Sequence, residues 1–256
     1  MFILAVSGSA IGLGNIWKFP YITGVNGGGA FVIIYLICIF SIGLPIMISE
    51  IMIGRKGRRN PITSMEILGI EETGNGVWKI VGFIGLMAGF LILSFYSVIA
   101  GWTFHYFLLT LQGLFIETSA TEVKTVFNQL TQSIPKQLLY HSFFMILTVS
   151  IISKGVRNGL EKAVYFMMPA LLIIMCVLLY YSITQGNFSE GVSFLFKPDF
   201  SIITASTILV AMGHAFFTLS LGMGCVVMYG AYLEEHESIF KTSIIIVLCD
   251  TFIALF

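Results

Sequence analysis

Apolar residues run along this chain in blocks too long for the face of a soluble helix. The blocks cover about 2–23, 28–54, 77–112, 137–153, 161–185, 200–232 and 240–256, with short polar stretches between them. A helix needs about 20 residues to cross a hydrocarbon core of about 30 Å, so the pattern predicts seven transmembrane helices. No sustained ten-residue alternation of polar and apolar positions is present. A transmembrane barrel is thereby excluded, and helices are the remaining way to satisfy the backbone in lipid.

The polar stretches set the orientation. GRKGRRNP follows the second block, with Arg55, Lys56, Arg58 and Arg59, and SKGVRNGLEK follows the fourth, with Lys154, Arg157 and Lys162. Both are short and basic, which assigns them to the cytoplasm of a cell-membrane protein. The segments from Gln112 to Lys136 and from Gly186 to Phe200 then lie outside, and the N-terminus inside. The first block opens without a basic leader or small-residue cleavage site, so no removable signal peptide is expected and the first helix itself inserts.

Composition agrees: 57% of the 256 residues are hydrophobic and 10% charged, the formal net charge is zero, and the mean hydropathy is +0.95. A soluble domain carries roughly 25% charged residues. Nucleic acid is not an expected partner; the lipid bilayer is. Cys38, Cys176, Cys225 and Cys249 all sit in apolar blocks without metal-ligand spacing, and are read as packing residues. His105, His141, His214 and His236 are scattered, and neither HExxH nor a pair of catalytic aspartates is present, so no enzyme is indicated.

Two blocks share an oddity. GSAIGLGN (Gly8 to Asn15) and FFTLSLGMG (Phe216 to Gly224) place glycines among hydroxyl and amide side chains in mid-block. Glycine costs up to about 1 kcal/mol per residue inside a helix. Close packing of the small-xxx-small type is one reading. Paired interruptions at corresponding positions point instead to a transporter site formed by discontinuous helices.

The stretch from Gly8 to Pro61 closely resembles the opening of the neurotransmitter:sodium symporter family. The resemblance continues through FYSVIAGW (Phe95 to Trp102), KGVRNGLEKAVYFMMP (Lys154 to Pro169) and FFTLSLGMG, and spans essentially the whole chain. It implies an all-α, leucine-transporter-like fold of two inverted five-helix repeats. One transmembrane domain is expected, with the first repeat at about 1–185 and the start of the second at about 200–256. The implied activity is symport of an amino acid with Na⁺, without an organic cofactor, and a homodimer is compatible with it.

Carried over by residue, the resemblance implies a first sodium site at Ala10, Asn15, Thr218 and Asp250. Half of a second would lie at the carbonyls of Gly8 and Ile11. The backbone amides of Leu13 and Gly14 and the Tyr96 hydroxyl would converge on a substrate carboxylate. Ser9, Ala10, Ile92, Phe217, Thr218, Ser220 and Met223 would line the pocket. Gly12 stands where monoamine carriers have Asp, which favours an amino acid, and the charge of Asp250 suggests independence of chloride. Lys18 and Phe217 match an outer gate, Glu50 a brace for the broken helices, and Gly159 with Pro169 a fifth-helix motif.

Plainer readings stand beside these: interhelical hydrogen bonds for Asn15 and Thr218, core packing for Ile92, Phe217 and Met223, and snorkelling for Glu50. Asp250 is harder to explain that way, because a carboxylate within a span costs at least about 2.5 kcal/mol. Family members have ten to twelve spans, so the chain is expected to be a truncated form that does not transport alone. A non-transporting membrane fragment or subunit and a sodium-conducting channel of the same ancestry are the alternatives.

Overall fold

The structure, a computed structural model, describes residues 2–116 and 118–256, with the backbone alone at 2–5 and 157. Every regular element among the described residues is helical. In order these are α1 (Phe2–Ala10), α2 (Phe19–Val25), α3 (Gly29–Cys38), α4 (Leu44–Gly57), α5 (Pro61–Thr73), α6 (Lys79–Leu111) and α7 (Ala120–Gln132). They are followed by α8 (Ile134–Ile152), α9 (Glu161–Gln185), α10 (Phe188–Phe196), α11 (Ala205–Thr218), α12 (Cys225–Gly230) and α13 (Ile239–Leu255). Five-residue π turns cover Gly14–Lys18, Ile39–Gly43 and Val156–Leu160.

Three continuous helices are long and apolar enough to cross a membrane: Gly29–Gly57, in which a π turn joins α3 to α4, then Gly76–Leu111 and Asn158–Gln185. The other predicted spans correspond to α8 with 19 residues, α13 with 17, and the interrupted pairs α1/α2 and α11/α12. Three connections read from the sequence as loops contain helices. Asn60 caps α5 by accepting from the Thr63 amide at 2.9 Å, and Ser119 with Glu122 forms a capping box at the start of α7. The third, α10, begins beside the hydrogen-bonded pair Asn187 and Glu190.

The chain divides into two compact units, Met1–Met87 with Glu161–Phe256, and Ala88–Leu160. In the second unit, Phe104 stacks on Phe143 at 4.5 Å and His105 lies against Tyr140 at 4.7 Å. Gly101 lets the backbone at Tyr140 and His141 approach closely.

The core of the first unit is formed by Phe19, Phe31, Tyr35, Ile39, Met47, Ile51, Leu219, Val226 and Ile246, each at most 2% exposed. Its tightest seam joins α4 to α12. A Cβ on Gly54 would lie 2.0 Å from the Val227 carbonyl oxygen, and one on Gly230 would lie 2.6 Å from that of Ile51. The two helices are therefore locked backbone to backbone by reciprocal glycines. At the C-terminal end of α4, Arg55 donates to the Glu237 carbonyl at 2.9 Å and Arg58 to that of Ala231 at 3.2 Å.

This seam makes a measurable claim. Gly54→Ala should lower stability by about 1–3 kcal/mol, as overpacking does, and lower the thermal unfolding midpoint in detergent. Gly213→Ala, on α11 where an added Cβ meets nothing within 4 Å, should be neutral or stabilising by up to about 1 kcal/mol. Equal effects of the two would remove the interlock.

Candidate functional site

The first interruption begins where α1 ends at Ala10. In an unbroken helix the Gly12 amide would donate to the Gly8 carbonyl, and the Asn15 amide to that of Ile11. Here the Gly12 N–H donates to Asn15 Oδ1 at 3.1 Å, and the Asn15 N–H donates to the Gly12 carbonyl at 3.1 Å. The carbonyls of Gly8 and Ile11 are thus released from their helical donors. Asn15 is 1% exposed, and its Nδ2 donates onward to Asp250 Oδ1 at 2.8 Å and to the Asp250 carbonyl at 3.2 Å.

The second interruption has its own logic. The Leu221 N–H donates to the Phe216 carbonyl at 3.0 Å and the Ser220 N–H to that of Phe217 at 3.2 Å, which is a Schellman cap closing α11. The left-handed position of that cap usually belongs to glycine, and here it is Ser220 at φ 55°. Its hydroxyl donates to the Ser9 carbonyl at 3.3 Å and ties the two breaks together. Beyond it, the Gly222 N–H would belong to the Thr218 carbonyl in a continuing helix. It donates instead to Glu50 Oε1 of α4 at 2.7 Å, so the Thr218 carbonyl is released as well.

Between the breaks stands Asp250 of α13, 0% exposed. Oδ1 accepts from Asn15 at 2.8 Å and from the Thr218 hydroxyl at 3.0 Å, and Oδ2 lies 3.1 Å from the same hydroxyl. Among the described residues no cationic side chain forms an ion pair with it. A buried carboxylate held by neutral donors only is short of one positive charge. Asn15, Thr218 and Asp250, far apart in sequence, are thus brought together.

Tyr35 of α3, fully buried, comes within electrostatic reach of Asp250 and Thr218. The sequence reading missed it, because a tyrosine inside an apolar block carries no periodic or motif signal. Tyr35 is held in an aromatic cluster with Phe19 at 4.8 Å and His214 at 5.6 Å. Phe217 lies at the mouth of the first break, where a Cβ on Gly14 would come within 3.2 Å of its ring. Ser9, Leu13 and Met223 are half-buried, Ala10, Gly14 and Ser220 buried, and Lys18 exposed at the end of the π turn. Ile92 and Tyr96, both half-buried, belong to the second unit. Pro169 lies exposed inside the continuous helix α9, and Gly159 is buried within the π turn Val156–Leu160.

The chain matches the model of the sodium:neurotransmitter symporter family over residues 1–129 and 115–256. It is 39% identical over 254 residues to YhdH, an uncharacterized sodium-dependent transporter of Bacillus subtilis (strain 168), covering 99% of this chain and 55% of that protein. An uncharacterized sodium-dependent transporter of Haemophilus influenzae is 34% identical, covering 99% of this chain and 57% of its own length. The crystal structure of MhsT in complex with L-phenylalanine superposes with a TM-score of 0.89 at 39% identity, covering 99% of this chain and 58% of that one. The chain spans a little more than half the length of these proteins.

The Asn15 geometry can be tested without any ligand. Asn15→Ala leaves the Gly12 amide and Asp250 each short of a partner, which should cost about 1–3 kcal/mol. Thermal unfolding in sodium-free detergent should then fall below that of the unsubstituted chain; an unchanged midpoint would show that these bonds do not hold the break.

Proposed function

Because the chain belongs to the sodium:neurotransmitter symporter family, we propose that it takes part in sodium-coupled symport of an amino acid across the cytoplasmic membrane. The observation that carries this reading is the Asp250 carboxylate, buried among oxygen and amide groups and, among the described residues, without an ion-pair partner. Sodium is a hard cation that takes several oxygens in place of its hydration shell. Asp250, Asn15, Thr218 and the Ala10 carbonyl would form one such set, and the released carbonyls of Gly8 and Ile11 would serve a second. The ion would also supply the missing positive charge.

The amino acid would lie against the same breaks. The amides of Leu13 and Gly14 are the natural acceptor site for its carboxylate, as amides at the start of a half-helix are elsewhere. Ser9, Ala10, Phe217, Thr218, Ser220 and Met223 would line the remainder. The contacts expected of Ile92 and Tyr96 rest on the family resemblance alone. That MhsT is crystallised with L-phenylalanine supports an amino acid as cargo.

Asp250 provides fixed negative charge beside the cation, which favours transport without chloride. Lys18 with Phe217 is assigned to an outer gate, and Gly159 with Pro169 to a flexible point on the inward path. Coupling is energetically worthwhile: one Na⁺ crossing roughly 100 mV and a tenfold gradient releases about 2.3 plus 1.4 kcal/mol, enough for several-hundredfold accumulation of a zwitterion. The first repeat is assigned to about 1–185 and the second begins at about 200. A homodimer is compatible with this arrangement.

The reading is tested by uptake of radiolabelled neutral amino acids into proteoliposomes, with sodium replaced by potassium and, separately, chloride by gluconate. Uptake by the full-length gene product should require sodium and ignore chloride; sodium-independent uptake by it, or none, would sink the proposal. Asp250→Ala should abolish sodium-dependent binding or render it chloride-dependent, measured by scintillation proximity, and unchanged sodium affinity would refute the ligand assignment. Gly12→Asp should weaken amino-acid uptake at least tenfold, and unaltered transport would count against the placement of the pocket.

A further inference from the structure

Glu50 is a second buried acid, remote from the Asp250 cluster in its bonding, and only half of it is accounted for. It is 9% exposed. Oε1 accepts the Gly222 N–H at 2.7 Å, whereas Oε2 is buried without a hydrogen-bond partner.

The elements packed against α4 bring it no cation. Helix α12 presents Cys225, within electrostatic reach of Glu50, and Tyr229. Helix α5 carries Glu66, Glu71 and Glu72, of which Glu66 is paired with Lys79 and Glu72 with Lys56. On α13 the charged groups are Lys241, exposed near its start, and Asp250, engaged by Asn15 and Thr218. The π turn Ile39–Gly43 has no titratable residue. The basic residues of α4 itself lie toward the cytoplasmic end, where Arg55 holds the Glu237 carbonyl and Lys56 holds Glu72. Beyond that end, Arg58 faces Glu235 and Arg59 is exposed.

Nor can Glu50 withdraw to a wetter depth, because the Gly54 and Gly230 interlock pins α4 to α12 within the turn that follows it. A carboxylate with one orphaned oxygen and no counter-charge is costly in such a place, and the neutral acid is the cheaper species.

We propose that Glu50 is a proton-binding site, with the proton on Oε2 while Oε1 holds the Gly222 amide. The captured amide is the one that a continuous helix would give to the Thr218 carbonyl, so the proton is a ligand of the broken conformation. Release of the proton requires water to reach Oε2, which requires the α11–α12 segment to move. By reciprocity, acidification favours the conformation seen here. The consequence for transport, proton linkage at a residue outside the sodium ligands, rests on the symport reading above; the presence of the proton does not.

Infrared difference spectra of the full chain in lipid decide the matter. At neutral pH a protonated-carboxyl C=O band is expected that shifts when all glutamates carry ¹³C, is lost in Glu50→Gln, and persists in Asp250→Asn. Absence of the band, its indifference to the glutamate label, or its survival in Glu50→Gln would overturn the proposal. If Glu50→Gln does not fold, the label on the unsubstituted chain decides alone. None of these spectra needs sodium or an amino acid. A band without sodium-dependent uptake by the full-length gene product would therefore remove the symport reading alone, and uptake without a band would remove only the proton site.

Discussion

The site depends on two amide protons that go to the wrong place. A helix interior uses every N–H on the carbonyl one turn back, and lipid offers no substitute for that bond. In this chain Asn15 captures the Gly12 N–H and Glu50 captures that of Gly222. Each capture is by a side chain buried in the first unit, and each releases a carbonyl, those of Gly8 and Thr218. Breaking a helix within a membrane is affordable only where such replacement partners are already in position. The two captors are placed differently: Asn15 is three residues from its target, whereas Glu50 reaches across from α4.

The rest of the first unit can be read as support for those captures. The reciprocal glycines of α4 and α12 fix Glu50 opposite Gly222. The Ser220 hydroxyl on the Ser9 carbonyl keeps the two breaks at one level. Asp250 orients the Asn15 amide so that its oxygen faces Gly12, because Nδ2 is committed to the carboxylate. Tyr35, Phe19 and His214 fill the space behind with aromatic surface. Removing Ser220, Asn15 or Asp250 from this set does not merely delete a contact; it leaves a polar group stranded where water is scarce.

Much of this was legible in the residues before any coordinates. The glycine density around Asn15 and Thr218 marked both interruptions, and a carboxylate within an apolar block marked Asp250. What sequence could not express was partnership at a distance. Glu50 and Gly222 are 172 positions apart, and the acceptor meets a backbone amide, which has no residue identity to read. Ser220 is expected to line the pocket, but its left-handed backbone carries no sequence signal, because Gly222 and Gly224, two and four residues on, are the natural occupants of such a conformation. The helices α5, α7 and α10 were missed for the opposite reason. Hydropathy is blind to short polar helices, whose signals are local, such as Ser119 followed by Glu122 in a polar stretch.

Ser220 has one more implication. A non-glycine residue in the left-handed region carries a conformational penalty of roughly 1–2 kcal/mol, and glycine at this position would be spared it. Replacing Ser220 with glycine would thus relax the backbone while cutting the hydroxyl tie from this turn to the Ser9 carbonyl. A relaxed backbone and a bond between the two breaks pull this single position in opposite directions. A screen for heat-resistant variants would drift toward glycine here, and the survivors would be sturdier proteins whose two half-helices no longer answer to each other.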